Sequence, residues 1–134
     1  MIDGTTAMLE RVLDIRMQKH ALHVSNIANS NVPEFKAKAL DFEGRMIEAL
    51  AFAESSGGNT ERAQQASLAE NIQSVIPDVY ADPLAAMKGD GNTVNVDKEQ
   101  TELAKNTIAY QGAIQLINKK MALHKYVLSE GAKY

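Results

Sequence analysis

The sequence predicts a mainly α-helical fold in which long N- and C-terminal helices form a coiled-coil-like pair around a small, partly irregular middle segment. Three observations carry this expectation. Apolar residues recur at helical spacing through residues 5–29, a heptad-like seam runs from residue 97 almost to the end, and the stretch between mixes turn residues with short apolar runs. A chain of 134 residues with 45% hydrophobic content suffices for one domain with a modest core. Its 5% aromatic content and lack of tryptophan leave that core poor in large anchors.

The first arm, residues 1–34, is built on Leu9, Leu13, Met17, Val24 and Ile27, with Ala21 and Ala28 beside them. Glu10, Arg11, Gln18 and Lys19 fall largely elsewhere, which is the pattern of a helix with one sticky stripe. The pattern stops in Ser25-Asn26-Ile27-Ala28-Asn29-Ser30-Asn31-Val32-Pro33-Glu34-Phe35. Short amide side chains bond nearby backbone, and a proline pushes the preceding residue out of the helical region, so this run is a built helix exit.

The middle, residues 35–96, is expected to hold a shorter helix over Leu40–Ala53, with Phe42, Met46, Ile47 and Leu50 on one side. Ser55-Ser56-Gly57-Gly58-Asn59 reads as a linker, and Glu61–Ile72 as a helix with little apolar face. Val75–Tyr80 and Thr93–Val96 read as short extended pieces whose ends are set by prolines and by the Gly89-Asp90-Gly91-Asn92 turn. The last arm, residues 97–134, carries Leu103, Thr107, Tyr110, Ile114, Ile117, Met121, His124 and Leu128 at alternating spacings of four and three. Ile108, Leu116, Leu123 and Val127 widen that seam. Asp97 stands at the N-cap with Gln100 completing a capping box, and a helix from there to Glu130 would run about 50 Å at 1.5 Å per residue.

Chemistry is scarce. The formal charge of -3, with bases interleaved among acids, leaves no basic stripe for nucleic acid. No cysteine is present, so neither disulfides nor thiolate chemistry can be invoked. His20 and His23 lie three apart on one helix, but no carboxylate at fitting spacing supplies a third metal ligand, and they read as interface histidines. His124 reads as a hydrogen-bonded seam histidine. Asp90-Gly91-Asn92 with Asn95 and Asp97 lacks the glycine and terminal glutamate of a calcium loop. Phosphate-loop and Ser-His-Asp spacings are missing, so no catalytic, cofactor-binding or metal residue is nominated, and neither an enzyme nor a small-molecule substrate is expected. Without a signal-like N-terminus or a membrane-length apolar window, the chain reads as cytosolic.

An apolar helix stripe must bury itself. Two such arms can fold back on each other as an antiparallel hairpin or meet neighbouring copies in a coiled-coil layer, and both satisfy the pattern. The candidate assembly interface is therefore Leu13, Met17, Val24, Ile27, Leu103, Tyr110, Ile114, Ile117, Met121 and Leu128. Asn26, Asn29 and Asn31 either cap the first helix or bond across subunits, and Phe35 either staples onto the arm or docks into a neighbour.

The run Asn26-Ile27-Ala28-Asn29, with Pro33, Phe35, Lys36 and Ala37 following, resembles the N-terminal signature of the axial proteins of the bacterial flagellum. With Asp41-Phe42, the Gly89–Asp97 segment and the short middle, the chain looks most like the flagellar basal-body rod protein family, in its proximal-rod members. The resemblance touches both ends and skips the middle; Val32 and Glu34 stand where the family typically has threonine and glycine. It marks Asn26, Ala28, Asn29, Pro33 and Phe35 as signature positions. It implies a structural subunit that self-assembles through its terminal helices and transmits torque. It further implies contacts with other rod proteins, the membrane-ring base, the export gate and its own copies. Export would proceed without a cleaved signal, which sets aside the cytosolic reading, and arms that order only on assembly would remain free during passage. The alternative is a cytoplasmic helical adaptor or self-associating coiled-coil module, which needs a groove and not this paired-end layout.

Overall fold

The computed structural model describes residues 4–56 and 69–133. Helix α1 spans Gly4–Ala28, strand β1 Lys38–Asp41, helix α2 Glu43–Ser56, strand β2 Asp78–Ala81 and helix α3 Val96–Gly131. Residues 69–74 are also helical. At 36 residues, α3 is about 54 Å long.

Helix α1 lies between the other elements because two of its faces are used. Along one, Met8, Val12, Ile15 and Leu22 recur at spacings of four, three and seven and pack into a core with Leu40, Phe42, Met46, Ile72 and Val75. Along the other, α1 packs against α3 as an antiparallel hairpin: Arg16 bonds Asn106, and His23, seven residues on, bonds Glu99, seven residues back. β1 and β2 pair antiparallel, with Lys38 opposite Ala81 and Asp41 opposite Asp78. Leu40 is buried while β2 is exposed throughout.

Three expectations need correction. Residues 38–41 form a strand, so the middle helix begins only at Glu43; the Asp41 carboxylate accepts the Gly44 N–H at 3.2 Å and caps the helix there. The second extended piece, Thr93–Val96, forms no strand. Thr93 instead donates its N–H to the Phe35 carbonyl at 3.0 Å, and its hydroxyl accepts the Ala37 N–H at 2.7 Å. The N-cap of the last helix is Asn95, not Asp97, its side chain accepting the Lys98 N–H at 3.1 Å. Asp97 and Glu99 then sit in the first turn, where the helix dipole favours negative charge. Of the Val75–Tyr80 piece, the strand occupies only the part beyond Pro77 and continues to Ala81. Most of the Glu61–Ile72 segment, and Gly57-Gly58-Asn59 of the expected linker, lie outside the described residues, whereas Ser55 and Ser56 end α2.

After Pro33 the chain turns through Glu34, a non-glycine residue at φ 61°, whose N–H reaches the Asp90 carbonyl at 3.0 Å. A glutamate thus adopts the left-handed conformation that glycine takes most readily. Facing it, Gly91 has φ 81°, and a Cβ there would stand 2.4 Å from the Glu34 carboxylate. A left-handed non-glycine residue costs about 1–2 kcal/mol, while glycine frees the unfolded chain by less. Glu34→Gly is thus expected to stabilise the subunit by about 0.5–1 kcal/mol, and Gly91→Ala to destabilise it by about 1–2 kcal/mol. Urea unfolding checks both, and a destabilised Glu34→Gly would show that the turn is not strained.

Candidate assembly interface

The helix exit and the turn before α3 are stitched together by buried amides. Asn29 closes α1 locally, its side chain donating to the Ser25 carbonyl at 2.7 Å. Asn26 reaches sideways: its amide donates to the Lys38 carbonyl at 2.8 Å, and its oxygen accepts the Lys38 N–H at 3.1 Å, so it pairs with β1 as another strand would. Asn92, fully buried, donates to the carbonyls of Asn29 at 2.9 Å and Val32 at 2.8 Å and accepts the Val94 N–H at 2.7 Å. Lys36 adds a bond to the Gly91 carbonyl at 2.6 Å. Asn31, Pro33 and Ala28 are exposed, and Phe35 is half-buried.

The hairpin seam is more polar than expected. The residues of α3 that α1 buries are Glu99, Asn106 and Ala113, one heptad apart. Asn106 donates to the Arg16 carbonyl at 2.7 Å, and Arg16 donates back to its oxygen at 3.4 Å. His23 Nδ1 donates to Glu99 Oε2 at 2.6 Å. Of the expected interface residues, Leu13, Ile27, Leu103, Tyr110, Ile114 and Ile117 are half-buried. Met17 and Val24 are 59% and 46% exposed, and Met121 and Leu128 are 49% and 74% exposed, so the structure does not bring these four into the hairpin. His20 and His124 are exposed. On the outer side of α3, Ile108, Leu116, Leu123, Tyr126 and Val127 form an exposed apolar stripe.

Ion pairs tie the middle to both helices. Lys19 Nζ meets Glu43 at 2.9 Å, and Arg16 lies 3.8 Å from the same carboxylate. Burial works to raise the Glu43 pKa, but the Lys19 hydrogen bond and the two cations together hold it below its ordinary value. Lys98 Nζ meets Asp82 at 2.9 Å, which lowers the Asp82 pKa and raises that of Lys98. Among the described residues no group of three His, Asp or Glu side chains could hold a metal ion. What the geometry offers is an antiparallel helical hairpin presenting apolar surface.

Sequence reasoning missed Asn92, Glu99 and Asn106. A heptad search that admitted polar residues would have found the last two, since 99, 106 and 113 keep strict spacing.

An antiparallel pair of terminal helices, held at one end by a small clamped middle and bearing unpartnered apolar surface, defines an assembly subunit of helical-hairpin type. No protein-family model matches the chain. It is 30% identical over 131 residues to the flagellar basal body rod protein FlgB of Bacillus subtilis (strain 168), an alignment covering 98% of each chain. It is 32% identical over 120 residues to that of Aeromonas hydrophila, covering 90% of this chain and 89% of the relative. For that of Cereibacter sphaeroides the identity is 33% over 114 residues, 84% of each. The chain belongs to the family of the flagellar basal body rod protein FlgB.

Asn92→Ala removes three hydrogen bonds, leaving the Val94 N–H without its acceptor and the Asn29 and Val32 carbonyls with only their backbone turn bonds, so a loss of about 1–3 kcal/mol is expected by urea unfolding, against less than about 0.5 for exposed Asn31→Ala. Equal losses would show that the amide clamp contributes nothing. The pH dependence follows from the carboxylates. Asp82 and Glu43 have lowered folded-state pKa values, so their contribution is present above about pH 4 and lost as pH falls through those values. Asp82→Asn should therefore lower stability at neutral pH and flatten its decline between about pH 4 and 2. An unchanged slope in an acid titration followed by circular dichroism would contradict this.

Proposed function

We propose that the chain is a structural subunit of the proximal rod of the flagellar basal body, built into the axial structure through its terminal helices and acting by transmitting torque. The observation that carries this reading is similarity to the flagellar basal body rod protein FlgB along nearly the whole chain. The hairpin with its exposed apolar stripe supports a subunit that binds others, and nothing in the role requires catalysis. In this reading residues 1–34 and 97–134 are the assembly arms and residues 35–96 the spacer between them. Leu13, Ile27, Leu103, Tyr110, Ile114 and Ile117 steady the hairpin, while Met17, Val24, Met121 and Leu128 remain for neighbours. Those neighbours are other rod proteins, further copies, the membrane-ring base and the export gate. The protein reaches the periplasmic rod through the flagellar export apparatus without a cleaved signal peptide.

Deleting the gene from its own host should abolish swimming, and re-expression should restore it. The double variant Leu116→Asp, Leu123→Asp alters two exposed positions of the α3 stripe. It should unfold within about 0.5 kcal/mol of the parent yet fail to restore motility. Full swimming by the double variant would remove the stripe from the interface, and full swimming by the deletion strain would end the rod reading.

A further inference from the structure

The turn that carries the Asn92 clamp contains an aspartate followed directly by glycine, Asp90–Gly91. The backbone nitrogen after any aspartate lies within reach of that residue's own carboxyl, and glycine, lacking a Cβ, leaves its nitrogen the least shielded. Asp90 is exposed, whereas Gly91, Asn92, Thr93 and Val94 are buried. Three contacts hold the pair. The Asp90 carbonyl accepts the Glu34 N–H at 3.0 Å, the Gly91 N–H donates to the Lys88 carbonyl at 2.9 Å, and the Asp90 carboxylate accepts the Asn92 N–H at 3.0 Å. Lys36 Nζ closes the far side with its bond to the Gly91 carbonyl.

We infer that Asp90–Gly91 is a site of spontaneous isoaspartate formation that the native fold holds closed, so that the chain isomerises there while unfolded and is protected once the clamp has formed. The reaction needs neither enzyme nor cofactor. The Gly91 nitrogen bonds to Asp90 Cγ, its proton leaving with the carboxyl hydroxyl as water, and a five-membered succinimide closes. Water then adds to one of the two ring carbonyls and breaks that carbon's bond to nitrogen. Opening at Cγ restores aspartate. Opening at the main-chain carbonyl carbon leaves Gly91 joined through Cγ and frees the former carbonyl as a carboxylate, so one water leaves, one returns and the mass is unchanged.

The fold opposes ring closure at both reacting groups. The nitrogen's proton is engaged by Lys88, the carboxylate is turned to the Asn92 N–H, and the planar peptide between them is pinned by Glu34 and Lys36. Bonds to Lys88 and Asn92 are local, but those from Glu34 and Lys36 exist only when the chain is folded. The product does not fit this setting. An isoaspartyl linkage adds one carbon to the main chain just before Gly91 and takes the Glu34 acceptor out of it. Asn92 must meet the Asn29 and Val32 carbonyls at 2.9 and 2.8 Å, a placement that the lengthened turn does not keep. This goes beyond the rod reading and does not depend on it: a chain that waits unfolded loses its clamp with age, and a folded one keeps it.

The test holds the full-length protein at neutral pH in buffer and in guanidinium chloride. The tryptic peptide of residues 89–98 is then resolved by chromatography and by fragmentation that distinguishes the two linkages. Isoaspartate at position 90 should accumulate at least about tenfold faster in the denatured chain, because in the folded chain the reaction waits on the small fraction whose turn is open. Asn92→Ala, which keeps the Asp–Gly pair and weakens the clamp, should raise the rate in buffer. The other Asp–Gly pair, Asp3–Gly4, reports in the same denatured sample that the conditions support the chemistry. Isoaspartate at position 3 without any at position 90 would overturn the site, and equal rates at position 90 in buffer and denaturant would overturn the protection. The isomerised chain, separated and refolded, should unfold at a lower urea concentration than the parent. An unchanged midpoint would show that the clamp accepts the altered linkage and would overturn that part of the inference.

Discussion

The buried amide of Asn92 is the tie on which the architecture depends. Between the end of α1 and the start of β1 the chain runs through turns, in which the Asn29 and Val32 carbonyls each accept one backbone N–H and keep a second acceptor site open. Asn92 fills those open sites from some sixty residues away, donating to Asn29 and Val32 and accepting from Val94. One side chain thereby places the last turn of α1 against the entry to α3. The consequence grows with length: along a helix of about 50 Å, a tilt of about 5° at this end moves the other end by about 4 Å. Precision in a small polar knot sets the geometry of the whole hairpin.

The second determinant is that the hairpin is registered by polar rungs. A seam of leucines and isoleucines would tolerate sliding by a heptad, because every layer would look alike. Here the Arg16–Asn106 and His23–Glu99 layers are chemically distinct, and a one-heptad slip would leave a buried carboxylate and a buried amide facing the wrong partners. Such layers contribute less stability than apolar ones, and the cluster of Ile15, Leu40, Phe42, Met46, Ile72 and Val75 is small. The subunit therefore trades stability for a defined register, and much of its apolar surface stays outside.

This trade also explains what could be read from the sequence. The long helices, the Asn-Pro exit and the existence of a turn before α3 follow from periodicity and from local backbone chemistry, which act within a few residues. What eluded sequence reasoning depends on partners far apart in the chain. Lys38–Asp41 carries too few residues to announce a strand and becomes one only by pairing with Asp78–Ala81 and with the Asn26 amide. Asn95 and Asp97 are both competent caps, and the choice between them is made by where Asn92 and Thr93 are anchored. The seam of α3 was expected on the mainly apolar row from Leu103 through Thr107 and Tyr110 to Leu128, so a buried row of Glu99, Asn106 and Ala113 had no signal in hydropathy, although its spacing was in plain view. At Glu34 the residue type left the turn geometry open, and the left-handed conformation goes with a bond from its N–H to the Asp90 carbonyl far along the chain.

The two terminal helices differ in how much surface they have left. α1 spends one face on the core, through Met8, Val12, Ile15 and Leu22, and another on α3, through Arg16 and His23. α3 spends only one, and beyond Lys120 it spends none until Glu130. α1 is covered on two faces and α3 on one, so more of the remaining exposed apolar surface lies on α3 than on α1. In the proposed rod role α3 is the helix offered to neighbours, with the amide knot at its base fixing the direction in which that helix points.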